Sequence, residues 1–255
     1  NVFNTGELQY YGTDIYMAIS EEPAERMFNG YDKTFNSTAP VVGDYWKVLY
    51  KIVQESNILL NRCTPAIAGN DYTSLTAQAR FFRAMAYYYL VETFGPVPLL
   101  VEENTDVIQQ AERTSEQAIY TFIITELNAI KDQLDMTTNS AGKVTNAAVI
   151  HFLGKMYLTR AYKSFAEAND FSEAATTFDL LIENPSSGYA LQENFAALFD
   201  ENNQANSEVI WAIQYGLDKN YRGGGNPQQA QFGFNIVALE PDMFTKSQSD
   251  YSCLL

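Results

Sequence analysis

The sequence predicts a mainly α-helical chain: tetratricopeptide-like helix pairs forming an α-α superhelix, joined to an irregular, loop-rich part with few short strands. Three observations carry that expectation. Apolar residues recur at helical spacing from Asp44 onward, with start signals at intervals. The segment ARFFRAMAYYYLVETFGPVPLLV (79–101) is apolar on nearly every side and is closed by Gly-Pro. Small and aromatic residues also recur within pairs of helices at the offsets of a helical repeat.

Residues 1–43 read as a helix start followed by a polar, turn-rich loop, a segment expected to pack on the repeats. From Asp44, DYWKVLYKIVQESNILLNRC places Trp46, Leu49, Tyr50, Val53 and Leu60 on one helical face, with Asn57 set into it. A second helix is predicted from about Ser74 to Phe94 and must be surrounded by protein. Its Arg80 and Arg83 lie on neighbouring turns. An unpaired buried charge is costly, so both are read as structural ion pairs with acidic or carbonyl partners. Gly95 stops the helix, Pro96 cannot continue it, and Val97 between two prolines is pushed to an extended conformation. This exit is expected to lead the chain away from the repeats.

Thr114-Ser115-Glu116-Gln117 fits a capping box for a third helix, striped by Ile119, Phe122, Ile123, Leu127, Ile130 and Leu134. Thr145 caps a fourth, with Ile150, Leu153, Gly154, Tyr157 and Ala161 on one face. Gly154 costs up to ~1 kcal/mol relative to Ala, which points to a close helix approach. Ser172 is placed as the cap of a fifth helix carrying Ala174, Phe178 and Leu181, ended by Asn184-Pro185. Leu153-Gly154-x2-Tyr157, Ala174-x3-Phe178 and Pro185 follow the tetratricopeptide pattern with an enlarged loop inside the pair. Trp46-x2-Leu49 with Ala77-x3-Phe81-x2-Ala84 is a looser match. The repeats thus occupy 44–188. From Tyr189 the character changes, and 189–255 reads as the start of an irregular second half, with Val209 to Tyr215 as a strand.

Composition narrows the function. The 255 residues carry a formal charge of −15, which argues against a nucleic-acid partner, since that needs a basic footprint. It disfavours an anionic membrane surface equally. No apolar run approaches the ~20 residues of a membrane helix. Cys63 and Cys253 do not make a disulfide framework, and each is read as a buried free thiol. The lone His151 sits in an apolar helical pattern and is read as a packed histidine. No metal-ligand spacing is present and no cofactor motif appears; the triple glycine at 223–225 lacks a phosphate loop's Lys-Ser/Thr ending.

The ordered set of segments resembles the SusD/RagB family of outer-membrane glycan-binding lipoproteins of Bacteroidetes. The likeness rests on Trp46-x2-Leu49-Tyr50 with Asn57, then ARFFRAMAYYYLVETFGPVPLL, TSEQAIYTFIITELNAI, GKVTNAAVIHFLGKMYL and SGYALQENFAALFDENNQANSEVIWAIQY. The resemblance implies four tetratricopeptide-like helix pairs with an irregular half packed on them. It also implies a surface-exposed lipid anchor at the cell outer membrane, through an N-terminal cysteine absent from this sequence. The partner it implies is a SusC-like TonB-dependent transporter. Family members are about twice as long, so the chain is read as a fragment.

Sugars are held by aromatic rings stacking on their apolar faces, with amides, carboxylates and arginine bonding their hydroxyls. The loop LDKNYRGGGNPQQAQFGFN and its flank offer that mixture: Tyr215, Asn220, Tyr221, Arg222, Asn226, Gln228 and Phe232. A solvated loop without ligand role is the competing reading. Tyr10, Tyr11 and Tyr31 with Asp32 are weaker candidates, and Trp46 and Trp211 are read as core. Nothing in the sequence places an acid–base pair of carboxylates across a substrate, so the chain is read as a non-enzyme. The expectation is binding of a poly- or oligosaccharide during nutrient uptake. A helical-repeat adaptor for protein segments and a helical glycoside hydrolase are the alternatives.

Overall fold

The computed structural model describes residues 34–213 except 107, 109, 139–141, 199, 201, 202 and 204, together with parts of 8–31 and the strand Ser252–Leu254. It divides into two compact units, one of 1–49 with 215–255 and one of 50–214.

In the first unit, β1 (Tyr16–Ala18) pairs antiparallel with β2 (Ser252–Leu254), Tyr16 opposite Leu254. Helix α1 (Pro23–Gly30) follows. Its Met27 and Phe28 are buried with Ala39 against Phe35, Val41 and Val42, and the Phe28 and Phe35 rings lie 5.0 Å apart. Helix α2 (Pro40–Arg62) opens here, four residues before the expected Asp44. Proline suits the first helical turn, where its missing N–H has no partner to lose.

The second unit carries α3 (Tyr72–Phe94), α4 (Glu116–Ile130), α5 (Asn146–Ala161) and α6 (Asp170–Ile182). Successive helices stack, α3 on α4, α4 on α5, and α5 on α6. The buried face of each supplies the core: Leu90 and Val91, Ile119, Ile123, Leu127 and Ile130, then Met156. Helix α3 buries residues around most of its circumference, as its composition requires. It ends at Gly95, whose φ of 68° is open to glycine and whose N–H donates to Val91 O at 3.0 Å.

Local start signals are correct in type and shifted in place. Ser115, not Thr114, caps α4 and accepts from Ala118 N at 3.3 Å. Thr114 instead forms a bridge with the buried, extended Val97, its N–H donating to Val97 O at 2.9 Å. Thr145 caps α5 as expected, accepting from Ala148 N. Ser172 does not cap α6, which starts at Asp170; its hydroxyl donates to Asn169 O at 2.8 Å. That earlier start follows from an ion pair, described below, that holds Asp170 inside the fold.

Gly154 is the close approach the sequence indicated. A Cβ there would lie 2.7 Å from the Phe178 ring of α6. Gly154→Ala is expected to lower stability by about 1–3 kcal/mol, because overpacking outweighs the helix-propensity gain of ~1 kcal/mol. Phe178→Leu should relieve the loss. Thermal unfolding of the two variants and the double variant checks this; an alanine variant more stable than the parent would refute the contact.

The expected strand at 209–215 does not form over its described part, 209–213. The chain turns around Asn206, which accepts from Glu208 N at 3.0 Å and donates to Asn203 O at 2.8 Å. Two of its apolar residues pack on helices rather than in a ladder. Ile210 joins the Ala147, Ile150 and Leu181 cluster. Trp211 stacks 5.9 Å from Phe81 and 6.1 Å from Phe82, with its indole N–H on Gly142 O at 3.0 Å. Trp211 is therefore half-buried packing, close to the expectation, and Trp46 is likewise half-buried.

Candidate functional site

Helix α3 carries Arg83 into the interior, where it is 6% exposed. Its Nη2 donates to Glu126 Oε2 of α4, and Nη1 donates to Asn57 Oδ1 of α2 (2.8 Å) and to Val101 O (3.1 Å). Arg80, one turn away, reaches Glu126 Oε1 at 3.4 Å. The structural ion pairs read from the sequence are present, and both converge on one carboxylate. The Arg83 guanidinium also lies 5.4 Å over the Phe122 ring, which covers its apolar face.

The Gly-Pro-Val-Pro exit does not lead away from the repeats. It feeds a strap, residues 97–104, that the side chains of α2 and α3 hold by its backbone. Tyr50 Oη donates to Pro98 O at 2.7 Å. Asn57 Nδ2 donates to Leu100 O (3.1 Å) and Glu102 O (2.9 Å). Tyr87 Oη donates to Leu100 O at 2.8 Å and accepts from Leu100 N at 2.6 Å. Gln54 bonds both backbone groups of Asn104. An extended, proline-rich strap has no helix or ladder to satisfy its carbonyls, so amides and phenols do so instead. This is why Asn57 stands in an apolar face.

An open cleft of about 800 Å³ adjoins this hub. Its walls are Asn57 and Asn61 of α2, Tyr72, Thr73, Thr76, Arg80 and Arg83 of α3, Val101 to Glu103 of the strap, and Gln133 beyond α4. Arg62 and Asn61 both donate to the Glu103 carboxylate, and these bonds hold its pKa below the ordinary value. Amides, hydroxyls and guanidinium in one concavity suit a ligand rich in hydroxyl groups.

The architecture has clear parallels. Residues 4–158 match the family model described as "Starch-binding associating with outer membrane". The chain belongs to the SusD-like family. A SusD-like protein of Bacteroides ovatus is 30% identical over 179 residues, 67% of this chain and 32% of that protein. The starch-binding protein SusD of Bacteroides thetaiotaomicron is 27% identical over 187 residues, 71% of this chain and 32% of it. A crystal structure solved with a xylogluco-oligosaccharide superposes with TM-score 0.69 at 25% identity, covering 84% of this chain and 43% of that one. The matched part thus spans about a third of the length of these curated relatives. The mainly helical, tetratricopeptide-like architecture expected of the SusD-like chain is the one observed.

The loop residues proposed for sugar contact, Tyr215, Asn220, Tyr221, Arg222, Asn226, Gln228 and Phe232, lie outside the described residues. So do Tyr10, Tyr11 and Asp32. Tyr31 is exposed and its hydroxyl donates to Gly12 O. His151 is not packed inside: it lies on the exposed side of α5, its ring 6.0 Å from Phe178, because the apolar face it interrupts turns the other way. Partial desolvation and the nearby Lys155 hold its pKa below the ordinary value. Cys63 is a free thiol, half-buried rather than buried; Cys253 falls in β2, where only the backbone is described. Among the described residues no cluster of His, Cys, Asp or Glu could hold a metal, and no helix is long and apolar enough to cross a membrane.

Tyr72, Thr73, Gln133 and Asn61 were not singled out by the sequence. No spacing links them, and the only signal was Asn57 in its apolar face. The tyrosines of this SusD-like core set its alkaline limit. Desolvation raises Tyr87 and Tyr50, and Tyr120 is raised by burial and by the bond it donates to Glu92 at 2.7 Å. A phenol with a raised folded pKa adds stability that is complete below its ordinary value of 10.0 and is lost as pH climbs through the folded value. Stability should therefore fall steeply above pH 10.0, with the phenolate absorbance of these three tyrosines appearing only as helicity is lost. Early titration of these three at full helicity would contradict their burial.

Proposed function

We propose that this chain is a glycan-capturing component of a nutrient importer. It would be lipid-anchored and surface-exposed on the outer membrane, and it would work as partner of a SusC-like TonB-dependent transporter. It binds poly- or oligosaccharide without catalysing a reaction. The observation that carries this reading is membership of a family described as starch-binding and associated with the outer membrane. A relative named for starch binding and a structural neighbour solved with an oligosaccharide support it. The helical layers serve as scaffold, and aromatic and amide side chains of the loop at 215–232 stack on and bond to the sugar. Individual contacts are weak, and repeated sugar units raise the effective affinity.

Calorimetric titration against plant, host and microbial polysaccharides tests it. Saturable heat with one glycan class, abolished by Tyr221→Ala, supports both the function and the loop. Binding that survives that substitution keeps the function and moves the site. Silence across the panel turns the reading toward a helical-repeat adaptor.

A further inference from the structure

We propose that the cleft beside the Arg83 hub is a subsite for a carboxylate-bearing sugar, a hexuronate unit, with Arg80 reading the charge; this rests on the glycan reading above. Charge accounting points there first. Two guanidiniums share the single carboxylate of Glu126, Arg83 closely and Arg80 at 3.4 Å. Glu103 on the facing strap is taken up by Arg62 and Asn61. The Arg80–Arg83–Glu126 cluster therefore carries one positive charge in excess, in a chain whose net charge is −15, with Glu102 as a further carboxylate lining the same cleft. Arg83 is buried on Glu126, and Arg80, the more exposed of the two, is the guanidinium that a ligand carboxylate can reach.

Donor geometry points the same way. The Arg80 side chain is 39% exposed, and among the described residues only its Nη1 is engaged, leaving Nε and Nη2. Those two N–H groups lie on one edge of the guanidinium, the edge that forks onto a carboxylate. Arg83 Nε, which is buried, also has no partner among the described residues. Thr73 and Gln133 on the same walls offer a hydroxyl and an amide to the sugar's own hydroxyls. Glu102 is the opposing charge at the mouth; it is exposed, so its repulsion is screened, while Arg80 acts from a partly dry wall.

The test compares tri-galacturonate with the carboxyl-reduced trisaccharide of the same linkage, so that only the charge differs. By calorimetry the acidic ligand should bind at least ~10-fold more tightly. Arg80→Gln should bring it to the neutral ligand's level, and Arg80→Lys should retain part of the preference. On the native chain, tri-galacturonate should shift the backbone amide resonances of Thr73, Thr76 and Gln133, a readout that does not depend on either variant folding. Equal affinity for the two ligands, no binding of either at millimolar concentration, an unchanged preference in Arg80→Gln, or shifts confined to other surfaces would overturn the proposal. A neutral polysaccharide panel run in parallel separates the two readings. Neutral binding without acid preference sinks the subsite alone, whereas no glycan binding of any kind sinks both.

Discussion

Glu126→Leu should cost about 3–5 kcal/mol, a large part of the roughly 5–15 kcal/mol that holds a domain folded. Among the described residues Glu126 is the one acidic partner of both Arg80 and Arg83, and its loss leaves the buried Arg83 guanidinium without a counter-charge. Removing the charges together should be far milder. Glu126→Leu with Arg83→Met leaves an apolar patch beside Phe122, and replacing a buried ion pair by well-packed apolar residues is often close to neutral. The strap should report the single variant locally, because Arg83 also holds Asn57 and Val101 O. Urea midpoints of the single and double variants, with hydrogen exchange over residues 97–104, measure both effects. A loss below about 1 kcal/mol for Glu126→Leu would mean that the carboxylate is solvated and the hub is not what holds the strap.

Asp170→Ala is the second severe change, expected to cost about 3–5 kcal/mol. Asp170 is 1% exposed and accepts from Arg160 Nε at 3.0 Å, from Arg160 Nη2 at 2.6 Å, and from Glu167 N at 2.8 Å. It joins the end of α5 to the start of α6, across the enlarged loop inside that helix pair. Without it Arg160, also buried, keeps among the described residues only the exposed Glu167 carboxylate at 2.7 Å. Glu167→Ala is the control and should cost under about 1 kcal/mol, as exposed pairs do. Limited proteolysis of residues 162–169 should accelerate in Asp170→Ala and not in the control. Equal resistance of the two variants would show that the loop is held by packing alone.

These two charge sites mark where reading the sequence stops. Arg80 and Arg83 on an apolar helix demand a counter-charge, and that demand is legible from desolvation alone. Which residue answers it is not, since Glu126 lies 46 positions from Arg80 among 31 carboxylates. Ser172 failed as a cap for the same reason: two candidate starts differ little in local energy, and the Arg160–Asp170 pair decides between them. The run 209–213 shows the converse case, a continuous apolar run that found helices to pack on instead of a strand to pair with.

What the residues determined by themselves is everything set within about one helical turn. The stripe of α4, the all-round burial of α3, the Gly95 stop and the need for glycine at position 154 all follow from 3.6-residue periodicity, backbone sterics and side-chain volume. The ordered segments also sufficed to indicate the family. Tertiary structure alone decided that the Gly-Pro-Val-Pro exit becomes a strap, that Asn57, Arg83 and Glu126 meet, and that amides and hydroxyls from three separate segments share one cleft. Those contacts form between residues dozens of positions apart, where the partner is chosen by how the helices stack and which polar groups that stacking would otherwise leave unpaired.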